Sequence, residues 1–325
     1  MNAPLLRVEN LSMHYHTRAG DVSAVDGVSF TLNEGEALGL VGESGCGKSS
    51  MAATLLRLLP DNARVAGGRV CLGDVDLLRL PEPEMRQVRW RRISIVFQAS
   101  MNSLNPVHRV GDQVVEAIHA HLPDGGDEAA RARVGELFQL VGLDPALADR
   151  YPHEFSGGMR QRAIIAMALA CNPDVIIADE PTTALDVILQ DSLLKSMRRF
   201  QHRLGMAMIY ISHDMAVIAE VSDRVGVMYA GRLAELGPTE AVFLEPVHPY
   251  TRALMSAFPS VTGEKRELAT LPGPRRAMRP PSAALAGLRR RPLRRVLESA
   301  RSIMTCDALL KVRRRLRLTW MPSSL

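Results

Sequence analysis

The octapeptide Gly42-Glu43-Ser44-Gly45-Cys46-Gly47-Lys48-Ser49 constrains this chain more than any other feature. It has the form GxxxxGKS, follows the apolar run ALGLV and precedes a helical pattern predicted over 48–59. Strand, glycine-rich loop and helix, in that order, are the context that a phosphate-binding loop requires. Glycines let the backbone wrap closely around phosphate oxygens and aim N–H groups at them. The N-terminus of the following helix adds partial positive charge. Lys48 offers a point charge to the outer phosphates, and the Ser49 hydroxyl is a ligand for Mg²⁺. Gly42, Glu43, Ser44, Gly45, Cys46, Gly47, Lys48, Ser49 and Ser50 form the predicted nucleotide-binding run.

The rest of the chain fits an α/β domain around that loop. LLRVENLSMHY and VSAVDGVSFTL read as strands joined by a turn, and 68–78 as a strand pair. RISIVFQ, VIIAD and AMIYIS are short apolar runs typical of buried strands. Helical patterns cover 157–170, the stretch VILQDSLLKSMRRFQHRLG and DMAVIAEVS, and RVGVMYAGRLAELG reads as a closing hairpin. Alternating strands and helices imply a mainly parallel sheet. Residues 99–155 change character, with helical segments separated by Pro, Gly and Asp, and are expected to form a helical insertion. The domain is expected to span 1–258. A Pro- and Arg-rich extension follows over 259–325, where periodicity fades.

Composition excludes several classes. Apolar residues make up 46% and aromatics only 4%, so the core must be aliphatic. No uninterrupted run of 18 apolar residues exists, so no membrane-spanning helix is expected. The first ten residues lack a secretory signal pattern. Cys46, Cys71, Cys171 and Cys306 form no CxxC pair, which fits a reducing compartment and indicates neither a disulfide framework nor a zinc site. From Arg275 onward fourteen Lys or Arg stand against two acids, a balance of +12; with +5 overall, the rest of the chain carries −7. An acidic body with a basic tail gives no reason to expect nucleic acid as partner.

Two further sites bear on chemistry. Asp179 and Glu180 end the strand VIIAD, where one acid can hold Mg²⁺ and the next can polarise an attacking water. A helix N-cap has the same appearance, so the pair is weak by itself. Ser156-Gly157-Gly158 opens a helix and reads either as a second anion site or as an ordinary cap with flexible glycines.

Taken together over residues 5–258, these motifs resemble the ATP-binding subunit of ABC transporters. The phosphate loop is followed by Gln98 in the VFQ position of the Q-loop, FSGGM at 155–159 in the signature position and VIIADE at 175–180 as Walker B. Ala184-Leu185-Asp186 fills the D-loop and His213 in ISHD the switch position, while Tyr15 falls where an aromatic stacks on adenine. The resemblance implies a P-loop NTPase (RecA-like) core with an antiparallel β subdomain and an α-helical subdomain. It further implies two ATPase subunits facing head to tail, with ATP held by the phosphate loop of one and by Ser156, Gly157, Gly158 and Met159 of the other. Glu180 acts as general base, with His213 and Gln98 as catalytic partners. Ser49, Gln98 and Asp179 serve Mg²⁺, and Asp186 reaches across the dimer.

Phe155 and Met159 replace the usual Leu and Gln of the signature, and Thr183 stands where Ser is usual; every catalytic position is filled. VFQASMNSLNPVHRVGDQ, YPHEFSGGMRQR and EPVHPYTRALMSAFP resemble the dipeptide and oligopeptide importer branch, which shares its architecture with nickel and some oligosaccharide importers. That branch implies two transmembrane permease subunits, a second ATPase, an extracytoplasmic solute-binding protein and a peripheral place on the cytoplasmic face of the inner membrane. A soluble ABC ATPase acting on ribosomes or DNA fits less well, because this chain has one cassette and a short helical insertion. The branch commonly carries a cysteine cluster near its C-terminus, and Cys306 alone cannot hold an iron–sulfur centre. The abrupt Arg-rich ending after Ser282 is open to three readings: a disordered basic tail, the product of a frameshift, or a contact with anionic lipid.

Overall fold

Three strands, β3 (Ala37–Val41), β7 (Val175–Asp179) and β8 (Ala207–Ile211), are buried at every position. Such runs need cover on both faces, and the fold supplies it. A computed structural model describes residues 3–98, 103–122, 125–183 and 185–256. The 259–325 extension, with Cys306, and Ala184 of the D-loop lie outside the described residues.

β3, β7 and β8 join β6 (Ile93–Val96), β9 (Arg224–Tyr229) and β10 (Arg232–Pro238) in a six-stranded sheet of order β10-β9-β3-β8-β7-β6. Only the β9–β10 pair is antiparallel. Its two-residue turn places Ala230 and Gly231 at φ 48 and 83, the left-handed pair that matches the twist of a hairpin. A second sheet, order β2-β1-β4-β5, is antiparallel throughout and is built from β1 (Leu6–Thr17), β2 (Gly20–Leu32), β4 (Ala63–Leu72) and β5 (Val75–Asp76).

The period-2 alternation of strand side chains divides the six-stranded sheet between two cores. Leu38, Leu40, Val175, Ile177 and Ile209 face α1 (Lys48–Leu55) and the antiparallel sheet, and pack with Met51, Leu55 and Met13. Ala37, Val41, Ile176, Ala178 and Tyr210 face the opposite way. There they meet α5 (Gly157–Ala168), α6 (Val187–Leu204) and α7 (Met215–Val221). The expected helical insertion carries α3 (Val110–His121) and α4 (Gly126–Val141), whose apolar stripes, including Ile118, Leu137 and Phe138, continue that second core.

Several boundaries differ from the sequence reading. α1 stops at Leu55 and not at 59, because Arg57 takes φ 51 and the Leu58 N–H reaches back to the Ala53 carbonyl at 2.9 Å. That left-handed stop is usually made by glycine, so an arginine there gives no signal. β4 starts at Ala63, earlier than predicted, because its exposed first half is held by pairing with β1 rather than by its own pattern. α2 (Glu82–Val88), α8 (Thr239–Leu244) and α9 (Pro249–Ser256) were not predicted. Each is eight residues or fewer, too short for helical periodicity to declare itself.

Candidate active site

The phosphate loop joins β3 to α1, and two of its glycines are fixed by sterics. Gly42 has φ 150, and a Cβ there would lie 2.3 Å from the Met228 carbonyl oxygen; Gly47 has φ 107, and its Cβ would lie 2.2 Å from that of Ala24. Only glycine combines those conformations with such close backbone approach. The β9–β10 turn braces the loop, with the Gly231 N–H donating to the Cys46 carbonyl at 2.9 Å and the Asp26 N–H to the Gly231 carbonyl at 2.8 Å. Lys48 is buried and folds back on the loop: Nζ donates to the carbonyls of Gly42 at 2.7 Å and Glu43 at 3.0 Å. Cys46 is buried beside it, and burial pushes its thiol pKa up, so the loop gains no thiolate. Glu43, Ser44, Gly45 and Ser49 are exposed along the rim. The hydroxyls of Tyr15 and Ser50 lie 3.1 Å apart, which sets the half-buried Tyr15 ring beside the loop–helix junction.

Asp179 is the last residue of β7. It is buried, and its Oδ1 has no hydrogen-bond partner. Burial raises its pKa, opposed by a hydrogen bond from the Ser49 hydroxyl and by the charge of Lys48. A buried, incompletely satisfied carboxylate beside a serine hydroxyl suits Mg²⁺, which prefers one or two such ligands plus substrate phosphates. Among the described residues no group of three or more His, Cys, Asp or Glu is placed to hold a metal ion without such help.

Glu180 follows immediately and turns the chain out of the strand. Its φ is 48, in the left-handed region, where a side chain such as glutamate costs of order 1–3 kcal/mol unless the surroundings hold it. They do: its N–H donates to the Ile211 carbonyl at 2.9 Å. Gln98, just beyond β6, donates Nε2 to Oε2 at 2.7 Å, and the Thr183 hydroxyl donates to the same oxygen at 3.1 Å. His213, just beyond β8, places Nδ1 3.0 Å from Oε1. A carboxylate can only accept, so Nδ1 carries the proton and Nε2 is left available. The C-terminal ends of three adjacent parallel strands thus converge on one carboxylate, where open α/β sheets bind their ligands.

The signature residues and the D-loop form a separate neighbourhood. Ser156 caps α5 by accepting the Met159 N–H at 3.3 Å, and Asp186 caps α6 by accepting the Leu189 N–H at 2.9 Å. Gly158 faces Leu189, whose Cδ1 would lie 3.2 Å from an added Cβ. Met159 is partly buried against the second core. Among the described residues no hydrogen bond or ion pair joins this group to the phosphate loop. Beside it the first turn of α6 presents Val187 and Ile188, each 81% exposed.

Sequence reasoning missed two supports. Thr183 was noted only as a departure from the family pattern, and its hydroxyl hydrogen-bonds the Glu180 carboxylate. Tyr250 on α9 packs against Tyr229, ring centroids 4.4 Å apart, beside Glu43 and Cys46 of the loop; burial pushes its pKa up to about 12. α9 is held there because Glu235 accepts the backbone N–H groups of Val247 and His248 at 2.8 and 3.0 Å. Both supports act through the tertiary fold, and no local motif announces them.

Comparison with known proteins points to one family. The family model for the ABC transporter matches residues 25–183, and that for the oligopeptide/dipeptide transporter C-terminal region matches 234–283. A dipeptide transport ATP-binding protein of Bacillus subtilis is 46% identical over 272 residues, covering 83% of this chain and 81% of the relative. An oligopeptide transport ATP-binding protein of the same organism is 44% identical over 274 residues, covering 83% and 76%. Among solved structures, a dimeric ATP-binding cassette in a post-hydrolysis state, bound to ADP and Pi, superposes with a TM-score of 0.64 at 26% identity, covering 72% of this chain and 98% of that one. A component of an ABC transporter complex from Clostridium perfringens gives 0.64 at 28%, covering 75% and 92%. With its phosphate loop, its strand-end carboxylates and relatives of this identity and extent, the chain belongs to the ABC transporter family of ATP-binding cassettes.

Proposed function

We propose that this chain is the ATP-hydrolysing subunit of an importer of di- or oligopeptides. The observation that carries the catalytic part is the convergence of Gln98, Thr183 and His213 on Glu180, next to a phosphate loop. ATP phosphates lie along residues 42–50, and Lys48 exchanges the Gly42 and Glu43 carbonyls for outer phosphate oxygens. Glu180, oriented by its partners, accepts a proton from the attacking water as it closes on the terminal phosphorus. His213 presents Nε2 to the phosphate, and Gln98 positions the water. Mg²⁺, when bound, is held by Ser49, Asp179 and Gln98 and neutralises charge on the phosphates. Tyr15 stacks on the adenine.

The reading extends to partners. Ser156, Gly157, Gly158 and Met159, with Asp186, complete the nucleotide site of a second ATPase subunit. The exposed Val187 and Ile188 beside them support a partner covering that face. A largely apolar cavity of about 790 Å³ lies between the two subdomains, lined by Leu58, Trp90, Ile95, Phe97 and Met167 with Gln98 at its edge. It suits a helix of a permease subunit, so that occupancy of the groove bears directly on the Glu180 partner. No helix among the described residues is long and apolar enough to cross a membrane. Two permeases, fed by a solute-binding protein, would place the chain on the cytoplasmic face of the inner membrane. Cargo class rests on the similarity to peptide transport proteins.

The test is ATP hydrolysis by the chain reconstituted with peptide-importer permease subunits from its own source, with and without peptide-loaded binding protein. Stimulation by peptide supports the proposal. Hydrolysis that responds to none of these partners leaves an ATPase and removes the importer.

A further inference from the structure

Most of the described arginines lie opposite an acid; Arg162, Arg199 and Arg203 are among those that do not, and they share one concavity. Arg162 donates to the Val141 carbonyl at 2.6 Å and to the Ser192 hydroxyl at 3.0 Å, and Arg199 donates to the Ser196 hydroxyl at 3.0 Å. No carboxylate among the described residues lies within ion-pair distance of these three guanidinium groups. They line one concavity of about 910 Å³ between α4, α5 and α6. The same cavity holds Arg133, already paired with Glu136 at 2.9 Å, so the walls keep three uncompensated positive charges. Arg162 is drawn partly out of water and feels the charge of Arg199, an arrangement that costs free energy while nothing neutralises it. Leu140, Phe200 and Leu204 give the cavity an apolar flank.

Three guanidinium groups around one hollow match a ligand with several anionic oxygens: the exposed Arg199 and Arg203 can donate to a phosphate, and Arg162, whose terminal nitrogens already donate to Val141 and Ser192, adds positive charge behind them. An isolated surface arginine is ordinarily content in solvent. A cluster that crowds like charges into a concave site is unexplained by solvation alone, because spreading the side chains outward would lower the repulsion. We propose that this cavity is a second anion site, distinct from the nucleotide site, which takes a small soluble ligand bearing two or more phosphate groups. Its walls give it a route to the chemistry. Arg162 belongs to α5, which Ser156 caps and whose first turn carries Gly158, while Ser192, Arg199 and Arg203 belong to α6, which Asp186 caps. A ligand held among the three arginines ties the signature helix to the D-loop helix from behind.

Pyrophosphate is the probe. Titration calorimetry on the full chain, with the nucleotide site first saturated by ADP and Mg²⁺, should show one remaining pyrophosphate site. Replacing the exposed pair, Arg199→Ala with Arg203→Ala, should weaken that site at least tenfold while leaving ADP affinity unchanged. The Lys double variant should recover part of the affinity, because charge remains but the fork does not. The proposal fails if saturating ADP abolishes pyrophosphate binding, if the double variant binds as wild type, or if binding appears only to vesicles containing diphosphatidylglycerol, which would make the site one for a lipid headgroup.

Discussion

Gln98 donates its side-chain amide to the carboxylate of Glu180 across 2.7 Å, although the two residues lie 82 positions apart in the chain. The contact joins the end of β6, where the helical subdomain begins, to the residue proposed to accept a proton. It makes the orientation of the Glu180 carboxylate depend on where the helical subdomain sits.

Replacing Glu180 by Gln keeps size and backbone preference but removes the proposed base. ATP hydrolysis should fall by ~10²–10⁴-fold, the usual contribution of a positioned general base, with nucleotide binding retained. Steady-state phosphate release beside equilibrium binding of labelled ATP checks this. Loss of binding together with turnover would mean that Glu180 holds the fold of the site and not its chemistry.

Lys48→Ala removes the ammonium that now caps the Gly42 and Glu43 carbonyls. Hydrogen bonds to charged groups contribute about 1.5–3 kcal/mol, so ATP affinity should weaken by roughly tenfold to a hundredfold. Calorimetric titration with a non-hydrolysable ATP analogue reads the change directly. Equal affinity in variant and wild type would place the phosphates away from this side chain.

Asp179 should trade stability for metal. Its carboxyl pKa is raised in the folded chain, mainly by burial, so the folded state holds its proton more tightly than the unfolded state does. Stability is therefore lost as pH rises through the carboxylate range and regained as pH falls through it. Asp179→Asn should melt higher than wild type near pH 7 in the absence of nucleotide and Mg²⁺. That gap should close at acid pH, where the wild-type carboxyl is also neutral. The same variant should lose Mg²⁺-dependent hydrolysis. A variant that melts lower at every pH would show that Asp179 is better satisfied than its unpartnered Oδ1 implies.

Gly47→Ala sets a Cβ against the Ala24 carbonyl in a backbone conformation that disfavours side chains. The cost should exceed about 2 kcal/mol, a fall in melting temperature of roughly 5 °C or more. Calorimetry decides it. A neutral result would require β2 to move away from the loop.

Much of this was legible in the sequence, because the chemistry is carried by local strings. The phosphate loop, Asp179-Glu180, the Ser156 cap and His213 each sit at a strand end or a helix start that apolar periodicity marks out, and the structure puts them at such ends. What could not be read depends on neighbours remote in the chain. The stop of α1 at Arg57 hides because a non-glycine residue occupies a left-handed position. Tyr250 and Glu235 support the loop only because α9 folds back onto β10, and an eight-residue helix has little pattern to show. The arginine cavity draws on α4, α5 and α6 together, and in sequence those arginines look like ordinary solvated helix faces.

The left-handed backbone of Glu180 has an evolutionary consequence. At that position glycine or asparagine would sit more comfortably, so if Glu180 is the base as proposed, the resident glutamate is held against a steady pull towards replacements that fold better and lack its carboxylate. A lineage freed from hydrolysing ATP should lose this residue early, and to those two successors before others, which makes position 180 a gauge of whether a duplicated copy of the gene still works for its living.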